Sequence, residues 1–201
     1  MLLEINPHHP EPRKIQRAVE ALNRGELIAY PTDTVYGLGC DLMNKAAVDE
    51  LYRIKRMPKD QPLALICVDL SDIARYVVID NGAYRLLRRI LPGPYTCILP
   101  ATREVPKTIS PKRTQVGIRI PQHPVPRAIA QALGRPLIST TAAHHGEDPL
   151  QWPQDIAQTF RGLALVLDGG PGGVTPTTVL DLTQDPPVVV REGAGDIEAL
   201  S

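Results

Sequence analysis

The sequence predicts an α/β domain with a twisted, open mixed sheet of about seven strands and four or five flanking helices interleaved along the chain. Three observations carry that prediction. Short apolar runs of strand length alternate with stretches whose apolar residues recur at helical spacing. Glycine and proline punctuate most of the boundaries between them. Neither a repeat nor a linker-like stretch interrupts the alternation, so a single domain over 1–201 is expected, with its core at about 11–195.

Met1 to Pro10 reads as a polar leading segment. A helix begins at Glu11 with Pro12 in its first turn, where proline is tolerated; Ile15, Ala18, Val19 and Leu22 form its apolar stripe and Gly25 closes it. Leu27 to Tyr30 is a buried strand that Pro31 ends. Asn44 caps a second helix with Val48, Leu51, Tyr52 and Lys55 on one face. Pro62 to Val68 has a strand's length, and Asp69 to Ile73 suggests a short helix. Asp80 or Asn81 caps the next helix, with Tyr84, Leu87 and Leu91 inward and Arg85, Arg88 and Arg89 outward, until Pro92 and Gly93 stop it. Strands at Tyr95 to Leu99 and Val116 to Ile120 flank a Lys- and Pro-rich loop or short edge element from Pro100 to Thr114. Pro124 to Leu133 is helical, with Val125, Ile129 and Leu133 on one side and Gly134 as stop, and Leu137 to Thr141 is a strand. After a polar loop from His144 to Pro153 come a short helix near Asp155 to Phe160, a strand at Leu163 to Leu167, and the glycine-rich turn Gly169 to Gly173. Val179 to Leu182 and Val188 to Arg191 close the chain as a hairpin.

The stretch IAYPTDTVYGLGCD, Ile28 to Asp41, concentrates polar groups at a strand's exit. Thr32, Asp33, Thr34 and Tyr36 present three hydroxyls and a carboxylate, and Gly37 and Gly39 let the backbone turn tightly or approach a ligand. In α/β sheets ligands collect at the carboxyl ends of strands. The same residues also suit an ordinary turn into a strand from Val35 to Cys40. Ser139, Thr140 and Thr141 form a second hydroxyl cluster at a strand exit. Arg119, set between Ile118 and Ile120, must alternate outward or meet an anion. No GxGxxG or GxxxxGK[ST] occurs, so Rossmann and P-loop assignments have no support.

Composition is that of an ordinary globular chain, 43% hydrophobic. The polar N-terminus and the lack of a long apolar run predict no membrane span and no secretory signal, hence the cytoplasm. Cys40, Cys67 and Cys97 each lie in an apolar run and read as buried, reduced thiols. His8 with His9 and His144 with His145 lack partners at metal-ligand spacing and read as solvated loops, so no tightly bound metal is expected. The formal net charge is zero, yet Glu50 to Pro121 holds thirteen Lys and Arg against six Asp and Glu, while Thr141 to Ser201 holds two against nine. Arg53, Lys55, Arg56 and Lys59 fall together, as a phosphate or RNA face would require; the dipole of a helix C-terminus favours the same residues.

With PTDTVYGLGCD, the basic cluster followed by PL, VGIRIP, PLISTT, PTTVLDL and VVVREGAGD in that order, the chain resembles the YrdC/YciO family from Glu11 to Gly195. The resemblance implies a YrdC-like fold with a concave basic cavity. It also implies chemistry related to threonylcarbamoyl-AMP, made from ATP with Mg2+ as substrate, L-threonine and bicarbonate for a tRNA modification, together with affinity for double-stranded RNA or tRNA. Such a reaction needs positioning and charge neutralisation rather than a side-chain nucleophile. The synthase branch carries KxRPxxxPL and STSAN. Here these read KRMPKDQPL and STTAA: Lys55 keeps the lysine, Met57 stands for the arginine, Thr141 for the serine and Ala143 for the asparagine, while Ile66 replaces a histidine usual after PL. This pattern resembles the YciO branch.

On that reading Lys55 and Thr141 are catalytic. Thr32, Tyr36, Arg56, Arg119, Ser139 and Arg191 bind nucleotide (ATP or AMP) or substrate, and Arg53, Lys59, Arg88, Arg89, Lys112 and Arg113 bind RNA. A homodimer is an option. Two other readings compete: a competent synthase in which Arg56 and Thr141 substitute for the lost residues, and an RNA-binding protein without turnover.

Overall fold

The computed structural model describes residues 1–109 and 114–200. Among them ten strands form one mixed sheet, ordered β1-β8-β2-β3-β7-β4-β6-β5-β9-β10. They are β1 (Leu2–Glu4), β2 (Leu27–Tyr30), β3 (Gly37–Asp41), β4 (Ala64–Ile66), β5 (Tyr95–Pro100), β6 (Gln115–Arg119), β7 (Leu137–Thr141), β8 (Leu163–Asp168), β9 (Thr178–Asp181) and β10 (Val188–Arg191). The helices are α1 (Pro12–Asn23), α2 (Lys45–Ile54), α3 (Leu70–Tyr76), α4 (Asn81–Ile90), α5 (Pro124–Leu133) and α6 (Pro153–Thr159). The mixed α/β class stands as expected, but ten strands and six helices exceed the predicted counts.

The segment Met1 to Pro10 corrects the sequence reading, because β1 lies within it and pairs in parallel with Val166 to Asp168 of β8. On α4, Leu87 and Leu91 are buried as expected, but Tyr84 is 45% exposed and Ala83 and Ile90 face the core in its place. The three arginines of α4 point outward as expected. Caps explain several boundaries: Asn44 accepts from Ala47 N at the start of α2, Asp69 and Asp80 do the same for α3 and α4, and Gly134 ends α5 in the left-handed region at φ 73°.

Register assigns the two faces of the sheet, because paired residues on neighbouring strands share a face. Cys40, Ile138, Leu65, Ile118 and Cys97 follow one another across β3, β7, β4, β6 and β5 on the back face. They join one apolar cluster with residues of α2, α3, α4 and α6. The front face carries a second cluster, in which Ile28, Ile66, Leu137, Leu165 and Leu167 pack under α1 and α5. That cover is partial. Farther along the same face the register runs Gly39, Ser139, Ala64, Gly117 and Ile98. The cleft over these small residues is lined by no residue of α1 or α5.

Candidate functional site

The uncovered half of the front face is the floor of a cleft of about 560 Å³, within the range of roughly 300–1,000 Å³ usual for small-molecule sites. Gly37, Ser139, Ala64 and Gly117 form its floor, and Lys55, Arg119 and Arg191 reach it from three directions. Small side chains keep the floor low; a Cβ on Gly117 would already lie 3.3 Å from Thr96 Cγ2. Gly39 has a different reason to be glycine. A Cβ there would meet Ile138 O at 2.6 Å and the Tyr30 ring at 2.9 Å, so it makes room for protein rather than ligand.

Lys55 is the C-cap residue of α2, and its side chain is 4% exposed. Its ammonium donates to Thr141 O at 2.6 Å and forms no ion pair among the described residues. Burial alone pushes its pKa down to about 8. Ser139 is buried at the floor, and Thr141, half-buried, lines the same wall.

Arg119 ends β6 and is buried. Its Nη2 donates to the Asp33 carboxylate, to Thr32 Oγ1 at 3.0 Å and to Thr34 Oγ1 at 2.8 Å. The second Asp33 oxygen accepts from Gln122 N at 2.9 Å. PTDT is therefore a clamp on an arginine. The Thr32 hydroxyl also donates to Val35 O at 2.6 Å, which engages it within the protein, and Thr32 is not among the cleft-lining residues. Tyr36 is likewise occupied: its hydroxyl donates to Gly170 O at 2.7 Å and accepts from Gly169 N at 3.1 Å, binding the glycine-rich turn to the motif.

Arg191, at the end of β10, reaches back into the cleft and donates to Thr177 O at 2.8 Å and Thr177 Oγ1 at 3.3 Å. It too forms no ion pair among the described residues, and partial burial lowers its pKa. Arg56 is exposed, has φ 54° and does not line the cleft. The left-handed turn after α2 carries it outward, whereas Met57 lines the cleft in its place. Ala143 also lines the cleft, while Ile66 is buried in the front core.

The cationic face expected near α2 is matched by acids. Arg53 pairs with Glu50 at 2.5 Å, and Lys59 with Asp49 at 2.8 Å, all on exposed surface. Arg88 and Arg89 are exposed on α4, which packs on the back of the sheet, away from the cleft. Lys112 and Arg113 lie outside the described residues. Sequence reading missed Thr96 and Thr177, whose hydroxyls meet at 2.8 Å beside Arg191. The alternation in Tyr95 to Pro100, and PTT in PTTVLDL, were the available signals. It also placed His144 in a solvated loop, but that ring is half-buried, lines the cleft and packs on Phe160 at 4.9 Å between centroids.

Fold and site together define a mixed α/β protein with a cation- and hydroxyl-lined cleft on the bare half of one sheet face. The Sua5/yciO/yrdC family model, described as "Telomere recombination", matches residues 20–193. The chain is 41% identical to the protein named YciO of Escherichia coli K12 over 197 residues, 96% of each chain. A crystal structure of E. coli YciO superimposes with a TM-score of 0.94 at 40% identity, covering 100% of this chain and 99% of that one. A threonylcarbamoyl-AMP synthase of Hydrogenovibrio crunogenus is 36% identical over 156 residues, 76% of this chain and 84% of its own. The structure of P. abyssi Sua5 complexed with L-threonine matches with a TM-score of 0.89 at 30% identity, over 96% of this chain and 57% of that one. The chain belongs to the Sua5/YciO/YrdC family and is related to its threonylcarbamoyl-AMP synthases.

Proposed function

We propose that the cleft binds a nucleotide by its phosphate and that its chemistry is related to threonylcarbamoyl-AMP. One observation carries the reading: Lys55 and Arg191, two cations without acid partners among the described residues, share one cleft with the Ser139 and Thr141 hydroxyls over a small-residue floor. Lys55 is buried, and an uncompensated buried cation is costly unless an anion completes it. Arg119, fixed by Asp33, Thr32 and Thr34, is a rigid wall of the same site. ATP, with magnesium arriving on the nucleotide, L-threonine and bicarbonate are the substrates this relationship suggests. The proposed setting is the cytoplasm, where Cys40, Cys67 and Cys97, all buried with their thiol pKa values raised, stay reduced.

The deciding assay is pyrophosphate release from ATP that depends on both L-threonine and bicarbonate. Turnover is expected about a hundredfold below that of a relative with the intact signature, because Met57 and Ala143 donate no side-chain hydrogen bond and a lost transition-state donor costs roughly 3 kcal/mol. Met57→Arg combined with Ala143→Asn should recover part of that rate. Full turnover in the unmodified chain would refute the reading that these positions limit it, and no nucleotide binding at all would refute the site.

Double-stranded RNA or tRNA is the proposed macromolecular partner. Because Arg53 and Lys59 are paired with acids, the proposed contacts fall to Arg88 and Arg89 together with Lys112 and Arg113, and a log–log salt slope of roughly −2 to −3 is expected. Reversing Arg88 and Arg89 to Glu should weaken retention of a labelled duplex on a filter and flatten its salt dependence; undiminished retention would exclude α4 as the contact.

A further inference from the structure

Tyr30 is fully buried in the front core with residues of α1 and α5, yet its hydroxyl completes no hydrogen bond among the described residues. A buried tyrosine normally gives that group a partner. Phenylalanine would fill the same slot and leave nothing polar behind, so the hydroxyl serves something other than the apolar core. Its surroundings show what. The ring lies across β3, where two glycines make room for it: a Cβ on Gly37 would come within 2.9 Å of Tyr30 Cε2, and one on Gly39 within 2.9 Å of the hydroxyl oxygen. That course carries the hydroxyl from β2 toward β7, and the same Cβ on Gly37 would stand 3.2 Å from Ser139 Oγ. The two hydroxyls are near enough for Ser139 to oppose the rise that burial imposes on the Tyr30 pKa, without the geometry of a completed bond. Ser139 in turn lines the cleft.

We infer that Tyr30 is a positioning residue for the proposed nucleotide site: it donates to Ser139 Oγ when ligand is bound and so turns the Ser139 proton into the cleft. This deepens that reading and rests on it. Polarity carries the argument. A hydroxyl offers one proton and accepts through two lone pairs, whereas a guanidinium only donates. Arg119, whose charge also acts on Tyr30, therefore cannot take the Tyr30 proton, and Ser139 Oγ can. Once Ser139 accepts from below, its own proton is left for an oxygen above it in the cleft, and a phosphate oxygen is an acceptor of the right kind. A serine hydroxyl without such a neighbour rotates and must be ordered by the ligand; one held by Tyr30 is ordered from beneath. The chain from Tyr30 through Ser139 to the ligand also gains strength as each bond polarises the next. In the ligand-free protein the orphaned hydroxyl is a local cost, of the sort that functional sites carry.

Calorimetric titration with AMP of the unmodified chain, Tyr30→Phe, Ser139→Ala and the double variant tests this. Tyr30→Phe should weaken AMP about fivefold and Ser139→Ala about tenfold, but Tyr30→Phe in the Ser139→Ala background should change affinity by less than about twofold. The melting temperature of Tyr30→Phe should equal or exceed that of the unmodified chain, since the change removes a buried hydroxyl that lacks a partner. Unchanged AMP affinity in Tyr30→Phe would overturn the inference. So would a loss of equal size with and without Ser139, which would assign the Tyr30 proton to a backbone acceptor such as Ile138 O, the atom that a Cβ on Gly39 would meet at 2.6 Å. Either result leaves the nucleotide site standing. No AMP binding by the unmodified chain would overturn the site itself, and this inference with it.

Discussion

Arg119→Ala is expected to lower the unfolding free energy by about 3–5 kcal/mol, the range for removing one partner of a buried ion pair. The guanidinium is the hub of the PTDT clamp: it satisfies Thr32, Asp33 and Thr34 at once and joins the exit of β2 to the end of β6, strands separated by β3, β7 and β4 in the sheet. Its loss leaves the Asp33 carboxylate, 11% exposed, with only Gln122 N as a partner among the described residues. The damage should spread, because Thr34 O also receives Gly173 N at 2.9 Å and so carries the glycine-rich turn. Replacing both charges, Asp33→Asn with Arg119→Met, should cost less than the single change, since no unpaired charge remains. Urea unfolding with an unchanged m-value is the measurement. A loss under about 1 kcal/mol for Arg119→Ala would show that the clamp does not brace the fold.

The same clamp shows which parts of the molecule were legible beforehand. Leu27 to Tyr30, Pro124 to Leu133 and Leu137 to Thr141 were predicted to the residue, because proline, glycine and apolar spacing act locally. β1 was not, since its strand character comes from pairing with β8, far along the chain, and its own burial is only partial. Tyr84 illustrates a related failure: two apolar stripes on α4 differ by one position, and packing chose the smaller Ala83 for the interior. In the site, Arg119 stood out because a charged group in an apolar run must find a partner once buried, Lys55 as part of a basic cluster and Ser139 as part of a hydroxyl cluster at a strand exit. Their partners were another matter. Asp33 was visible as a carboxylate in a turn but not as the counter-charge of Arg119, and the ion pair of Lys59 with Asp49 joins residues on no common helical face. Arg56 was placed at the site by its adjacency to Lys55, and the positive φ after α2 carries it out of the cleft.

Lys55 should trade stability against binding. With its pKa depressed to about 8 in the fold and about 10.4 in the unfolded chain, the unfolded state holds more protons between those values. The penalty of burying the charged ammonium is therefore full below pH 8 and fades as pH rises toward 10.4. Lys55→Met should accordingly stabilise the ligand-free protein at pH 7 by about 1–2 kcal/mol, less than the shift alone suggests because Thr141 O loses its donor. Ligand affinity should move the other way. A bound phosphate favours the protonated ammonium and raises its pKa, so AMP binding takes up a proton, keeps full strength below pH 8 and weakens by up to about tenfold per pH unit above it. Lys55→Met should lose at least about tenfold in AMP affinity at pH 7 and lose the pH dependence with it. Melting curves and calorimetric titrations at pH 7 and 9.5 read both quantities. A variant that melts lower and still binds AMP would mean that the ammonium is a structural donor to Thr141 and no part of the nucleotide site.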